Sequence, residues 1–167
     1  MLEQITLTVD GQEVTVPVGA TILHAITKLG IDTPTLCYDA GLTPVNVCRV
    51  CVAELKGARV LAPSCSRKAE NGMEVFTDTP RVRHSRRLVL EMLQSSVDTS
   101  TSPALLQYAA RYGTQPDRLA GGATVEQPVR DNDNFLYVRD YSRCILCYKC
   151  VEACGHDVQK TFAIAVA

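Results

Sequence analysis

The chain has 167 residues, a formal net charge of −1 and 21% charged residues, so its length suits one domain or two small ones. The near-neutral charge argues against a nucleic-acid partner, which would need a broad basic face. The longest apolar stretches fall well short of the ~20 residues that span a bilayer. We therefore expect a cytoplasmic protein with no membrane span and no nucleic-acid partner.

The first half of the chain has the pattern of a small sheet with one helix. Apolar residues alternate with polar ones on both sides of an Asp10-Gly11 turn, which predicts a β-hairpin. Thr21 can cap a helix that runs to about Leu29, where Gly30 provides a left-handed stop. Further strands are predicted over residues 50–55, 59–62 and 73–77.

After Pro80 the apolar spacing changes to that of a helix, with its arginines largely on the other side. A second short helix can begin at Pro103, and residues 113–134 are rich in turn formers. Residues 135–138 and 162–167 are each compatible with a short strand. We predict an α+β protein with a β-grasp ferredoxin-like domain at 1–79, a helical connector at 80–134 and an incomplete bacterial-ferredoxin-like segment at 135–167.

All eight cysteines fall into two closely spaced groups, which leaves no spare thiol. In a reducing compartment such groups favour metal ligation over disulfides, and the two spacings are typical of two kinds of iron-sulfur cluster. The first cysteine set is Cys37, Cys48, Cys51 and Cys65, spaced C-x10-C-x2-C-x13-C; the second cysteine set is Cys144, Cys147, Cys150 and Cys154, spaced C-x2-C-x2-C-x3-C.

Two irons and two sulfides need four thiolates from two directions. The Cys48/Cys51 pair would hold one edge, and Cys37 and Cys65 would close the site. A structural zinc ion is the alternative, because zinc also accepts four cysteines, although it usually pairs two C-x2-C knuckles. The nearby arginines, between Arg81 and Arg87, are interpreted as a solvated helix face.

These motifs, together with residues 77–83 (TDTPRVR) and 86–91 (RRLVLE), resemble the N-terminal region of a known group. The group comprises the large iron-sulfur subunit of NADH:quinone oxidoreductase, the small diaphorase subunit of NAD-linked hydrogenases and the N-terminus of NAD-linked formate dehydrogenases. The resemblance implies a [2Fe-2S] cluster on the first cysteine set. It also implies a flavin/NADH-oxidising partner subunit and a catalytic subunit or missing C-terminal region.

One motif of the group, a cluster site made of one histidine and three cysteines, is missing. Ser96 and Ser100 stand about where the histidine and the first of those cysteines would be, and residues 90–143 contain neither residue type. This loss favours a formate-dehydrogenase-like member, whose distal site would carry a molybdenum or tungsten pterin.

The second cysteine set resembles the first half of a two-cluster bacterial ferredoxin, with Gly155 in place of the usual proline. In that pattern the fourth cysteine ligates the other cluster, whose remaining ligands come from a second motif downstream. We therefore expect a possible [4Fe-4S] cluster here, in a chain that is a fragment or is completed elsewhere.

No catalytic residues are predicted, because the sequence has no dinucleotide fingerprint, no nucleophile with a base at motif spacing and no recognisable carboxylate pair. The expected function is one-electron transfer in an NAD-linked formate dehydrogenase or hydrogenase-type complex. The alternatives are a zinc-stabilised interaction module without redox activity and a free ferredoxin-like carrier.

Overall fold

The computed structural model describes residues 3–119, 135–136 and 138–165. The chain divides into two compact units, one formed by residues 1–86 with 148–167 and the other by residues 87–147. The domain boundaries expected from the sequence, at residues 79 and 134, stay predictions.

The predicted hairpin is present at the start of the first unit. Strand β1 (Gln4–Val9) pairs antiparallel with strand β2 (Gln12–Pro17), with Val9 opposite Gln12. The two turn residues both lie in the left-handed region, Asp10 at φ 47° and Gly11 at φ 82°. Such a turn matches the right-handed twist of the strands that it joins.

Three short strands complete a sheet of five, in the order β2-β1-β5-β3-β4. They are β3 (Val52–Leu55), β4 (Ala62–Pro63) and β5 (Glu74–Phe76). Strand β5 runs parallel to β1, and β3 runs antiparallel to both β4 and β5. The strand expected over 59–62 begins only at Ala62, because Val60 is 72% exposed and has no buried face to present.

Helix α1 (Ile22–Lys28) begins where the sequence predicts. The Thr21 side chain accepts a hydrogen bond from the backbone N–H of His24, and Gly30 follows the helix at φ 70°. One face of α1 is buried in the core of the first unit, which also contains inward-facing residues of the sheet. The core comprises Leu7, Val9, Val14, Val16, Ile22, Ala25, Ile26, Ala53, Ala69 and Val75.

Two longer helices follow the sheet. Helix α2 (Pro80–Ser96) starts with proline at its first position, and the Thr79 hydroxyl accepts from the backbone N–H of Val82 at 3.2 Å. Helix α3 (Pro103–Tyr112) ends at Gly113, which has φ 63°. Both helices were predicted, and α2 continues to Ser96.

Glu91 is the buried anchor of the second unit, 1% exposed. Its carboxylate accepts from the backbone N–H of Gln115 at 3.0 Å and from Arg118 Nη2 at 2.7 Å. These bonds tie the turn after α3, with a short 3-10 turn at Pro116–Leu119, to α2.

The C-terminal segment forms helix α4 (Lys149–Glu152), which continues into one π-helical turn (Ala153–Asp157). The strand expected over 135–138 is wrong for the described residues 135, 136 and 138, and residue 137 lies outside the described part. The strand expected over 162–167 is also wrong for residues 162–165, and residues 166–167 lie outside the described part of the chain. The backbone N–H groups of Thr161 and Phe162 instead donate to the Cys154 carbonyl.

Among the described residues, none of the helices has the length and apolar character needed to cross a membrane.

The Asp10 carboxylate fixes the hairpin turn to the end of β5, because it accepts from the backbone N–H of Thr77 at 2.8 Å and from its hydroxyl at 2.5 Å. We predict that Asp10→Ala lowers the free energy of unfolding by about 2–3 kcal/mol, since it loses both bonds and strains the left-handed turn. Asp10→Asn keeps an acceptor and tolerates that backbone, so its loss should be smaller. Urea denaturation of both variants measures the difference, and equal stability of Asp10→Ala and the unchanged protein would contradict this role.

Candidate metal centre

The sheet and its loops bring the first cysteine set together in the first unit. Cys51 directly precedes β3 and Cys65 lies two residues after the end of β4, so the pairing of these strands places both thiols. Cys37 and Cys48 lie in the long loop between α1 and β3. All four are free thiols; Cys37, Cys51 and Cys65 are buried, and Cys48 is half-buried.

The four thiols contact one another in series. Cys37 shares hydrogen bonds with Cys48 and Cys65, and Cys65 also contacts Cys51. Within the described part of the chain, no group of three or more His, Cys, Asp or Glu side chains is arranged to hold one metal ion.

The hydrogen bonds among these thiols divide them into acceptors and donors. Hydrogen bonds from the Cys48 and Cys65 side chains lower the pKa of Cys37, and a bond from Cys65 lowers the pKa of Cys51. The pKa values of Cys48 and Cys65 are raised, chiefly because their protons are held in these bonds. A metal centre would replace the two shared protons, since metals bind the thiolate form.

The loop backbone is shaped to donate to sulfur. Asn46 at φ 60° and Arg49 at φ 59° lie in the left-handed region, on either side of Cys48. The backbone N–H groups of Val47 and Cys48 bond to the Cys37 sulfur, and that of Val50 bonds to the Cys48 sulfur. Successive amides that face a group of sulfurs make an anion-binding concavity, so this donor set fits an anionic iron-sulfur cluster.

Apolar side chains cover part of the site. Leu23 of α1 packs with Cys51 and Cys65, and the partly buried Tyr38 packs against the same group. Such cover limits the access of water to the sulfurs, and solvent exposure is one of the factors that set a cluster's potential.

Two buried polar residues near the site were not identified from the sequence. Ser64 is fully buried, and its hydroxyl donates to the Cys51 carbonyl at 2.7 Å. Arg86 is 1% exposed, and its Nη2 donates to the Val52 carbonyl at 2.9 Å. The solvated-face interpretation is therefore wrong for Arg86. Arg86 lies one helical turn after the buried Val82, and this spacing was the signal that could have predicted its burial.

The other arginines at the start of α2 are partly exposed and form ion pairs. Arg83 contacts the Asp78 carboxylate at 2.8 Å, and Arg81 lies 3.6 Å from Glu54. For these two residues, the interpretation as a solvated helix face holds.

The second cysteine set is divided between the two units. In the second unit, Cys144 is exposed and Cys147 is half-buried; in the first unit, Cys150 is exposed and Cys154 is buried. The Cys154 sulfur accepts from the backbone N–H of Ala163 at 3.2 Å and lies 3.1 Å from the Thr161 hydroxyl. These bonds, with the Thr161 contact first, lower the pKa of Cys154.

The region of the missing histidine-and-cysteine motif has its own hydrogen bonds. The Ser96 hydroxyl donates to the Met92 carbonyl at 2.7 Å, and the Ser100 backbone N–H donates to Asp98 at 2.9 Å. Asp98 also pairs with Arg143 at 3.3 Å, directly before Cys144. The Ser100 bonds, more than Arg143, lower the pKa of Asp98.

Comparison with known families now gives the type of domain. A sequence profile described as a 2Fe-2S iron-sulfur cluster binding domain matches residues 3–80. The first part of the chain is therefore similar to this family. A second profile, described as a 4Fe-4S binding domain, matches residues 137–160, which include the whole second cysteine set. The ferredoxin-like α+β fold and both expected cofactor types are thereby confirmed.

Relatives match almost the whole length of this iron-sulfur chain. It is 36% identical to the "NADP-reducing hydrogenase subunit HndD" of Solidesulfovibrio fructosivorans over 99% of the chain and 32% of that protein. It is 33% identical to the "NADPH-Fe(3+) oxidoreductase subunit alpha" of Geobacter sulfurreducens, over 97% of the chain and 20% of that protein. It is 30% identical to the mitochondrial "NADH-ubiquinone oxidoreductase 78 kDa subunit" of Candida albicans, over 90% of the chain and 22% of that protein.

A solved structure also matches almost the whole chain. A chain of an NAD+-reducing [NiFe]-hydrogenase, in its H2-reduced state, superposes with a TM-score of 0.79 at 26% identity, over 93% of this chain and 68% of that one. The iron-sulfur chain spans only between 20% and 32% of the length of the three curated relatives named above.

Arg86 offers a test of the support behind Cys51. We predict that Arg86→Met lowers the free energy of unfolding by about 2–3 kcal/mol, because the Val52 carbonyl loses a charged donor in a buried place. Arg83→Met is the matched control on the same helix, and the loss of its exposed ion pair should cost less than about 1 kcal/mol. Chemical denaturation of both variants compares them. If both variants lost the same free energy of unfolding, Arg86 would not be a residue that supports the site.

Proposed function

We propose that the first cysteine set holds a [2Fe-2S] cluster and that the chain carries single electrons within an NAD(P)H-linked oxidoreductase complex. The observation that supports this most is the convergence of four free thiols in a matched 2Fe-2S domain, with backbone N–H groups directed at their sulfurs. Each of Cys37, Cys48, Cys51 and Cys65 would ligate an iron.

The residues around the thiols suit this task. A [2Fe-2S] cluster, when bound, takes up one electron and gives it back. The amides of the 46–50 loop offset negative charge at the sulfurs, and hydrogen bonds to sulfur are one of the means by which proteins set a cluster's potential. Leu23 and Tyr38 exclude water from one side. The strands β3 and β4 fix Cys51 and Cys65, so the ligands need move little as the charge changes.

The second cysteine set is proposed to serve a [4Fe-4S] cluster, on the basis of its spacing and of the matched 4Fe-4S profile. Cys144, Cys147 and Cys150 would hold this cluster. In the two-cluster pattern the fourth thiol ligates a neighbouring cluster, so Cys154 would complete either this cluster or another one. The buried, hydrogen-bonded state of the Cys154 sulfur supports a ligand role.

The relatives suggest the partners. Their names describe subunits of hydrogenase, iron oxidoreductase and ubiquinone oxidoreductase enzymes linked to NADP, NADPH or NADH. We propose that this chain relays electrons between a flavin/NADH-oxidising subunit and an active site in another chain or region, in the cytoplasm. None of the three curated relatives named here is a formate dehydrogenase, so the formate preference and its molybdenum or tungsten pterin stay predictions. The zinc-stabilised module and the free carrier are the competing functions.

A single substitution tests the ligand set. We predict that Cys48→Ser abolishes or distorts the electron paramagnetic resonance (EPR) signal of the reduced [2Fe-2S] cluster, because an oxygen ligand replaces thiolate poorly. Cys144→Ser is the matched control and should leave this signal unchanged. Anaerobic iron and sulfide analysis, with EPR after dithionite reduction, measures both variants.

An unchanged signal in Cys48→Ser would remove Cys48 from the site. Zinc in stoichiometric amount, without iron, in the unsubstituted protein would overturn the electron-transfer function and support the zinc-stabilised module.

A further inference from the structure

A contact distant in sequence joins the loop of the first cysteine set to the segment that carries Cys150 and Cys154. The Asp157 carboxylate accepts from the backbone N–H of Thr43 at 2.6 Å and from the Thr43 hydroxyl at 2.9 Å. Both residues belong to the first compact unit. We refer to this pair of hydrogen bonds as the Thr43–Asp157 clip.

Thr43 lies inside the loop between Cys37 and Cys48, which has ten residues where plant-type ferredoxins have four. The Asp39 carboxylate accepts from the backbone N–H of Gly41 at 3.0 Å, so the first half of the loop forms its own turn. The extra length places the Thr43 N–H and hydroxyl where they can bind a carboxylate. The long loop thus has a use beyond closing the site around the thiols.

The other partner is held firmly with respect to Cys154. Asp157 ends the π-helical turn that begins at Ala153, and such turns are frequent at functional sites. Phe162 packs against His156 with ring centroids 5.1 Å apart and edge to face. A Cβ at Gly155 would lie 3.1 Å from the Phe162 ring, a tight contact that a larger residue could adopt only if the ring moved slightly.

The chemistry of the clip is that of a carboxylate bound by two donors. The Thr43 backbone N–H, its hydroxyl and the nearby His156 lower the pKa of Asp157, in that order. The carboxylate is therefore ionised at neutral pH, and charged acceptors form the stronger hydrogen bonds.

We propose that the Thr43–Asp157 clip docks the segment bearing Cys150 and Cys154 onto the loop of the first cysteine set, and that this docking sets electron transfer between the two clusters. The inference rests on the proposed function. Thr43 and Asp157 are positioning residues, since neither is a ligand. In the step concerned, one electron passes between clusters, so that one is oxidised as the other is reduced, and no bond forms or breaks.

The test uses the full chain and three variants. Asp157→Ala removes the acceptor, Thr43→Ser keeps both donors, and Asp39→Ala is the matched control that perturbs the same loop without touching the clip. Amide hydrogen exchange of residues 41–46 reports the docking. EPR of the dithionite-reduced protein reports the magnetic interaction between the two clusters, through line broadening and relaxation.

We expect Asp157→Ala to speed exchange at Thr43 by about tenfold or more and to weaken the interaction between clusters, with iron content unchanged. Thr43→Ser should behave as the unsubstituted protein does, and Asp39→Ala should leave the interaction intact. Unchanged exchange in Asp157→Ala would overturn the inference, whether or not clusters assemble. Faster amide exchange in Asp157→Ala with an unaltered magnetic interaction between the clusters would also overturn the inference.

The two levels of proposal fail in different ways. If the unsubstituted protein assembles no iron-sulfur cluster, the proposed function fails and with it the electron-transfer part of this inference, while hydrogen exchange still decides the docking. If both clusters assemble and Asp157→Ala changes neither measurement, only the inference fails.

Discussion

The convergence of four cysteine thiols beside a small sheet is the constraint on which the rest of the structure depends. Buried thiolates cannot lie together unless their charge is offset, and here two of the thiols donate to the other two while backbone N–H groups supply further bonds. The β3–β4 pairing fixes Cys51 and Cys65, and the left-handed Asn46 and Arg49 turn the loop amides inward. A metal cluster would take over the role of the shared protons.

The surroundings of the site follow from this requirement. Ser64 and the buried Arg86 hold the backbone on either side of the Cys51–Val52 bond, so the carbonyls of that stretch have donors away from water. Asp10 ties the hairpin turn to the end of β5. Through Thr43, the same loop that carries Cys37 and Cys48 reaches the C-terminal segment. The first unit therefore connects its cluster site both to the sheet and to the segment that bears the last two cysteines.

Much of this arrangement is predictable from the sequence, and the failures have physical causes. The hairpin, the capped helix after Thr21 and the helices at Pro80 and Pro103 follow from local turn and capping chemistry. The cysteine spacing predicts both cluster types, which the family comparisons confirm. Arg86 was misplaced because a charged residue was assigned to solvent without regard to its helical spacing from Val82. The Thr43–Asp157 contact joins residues far apart in sequence, and no local pattern indicates it. The strand expected after residue 162 is absent in residues 162–165, because the amides there bond to Cys154 instead.

The central claim is that this chain carries electrons on iron-sulfur clusters. Anaerobic iron, acid-labile sulfide and zinc analysis of the unsubstituted protein, combined with EPR after dithionite reduction, tests it most directly. The account predicts two irons with a slowly relaxing [2Fe-2S] signal, and further iron with a fast-relaxing signal where the second cysteine set assembles its cluster. Protein that contains zinc and no iron, with no signal on reduction, would contradict the account.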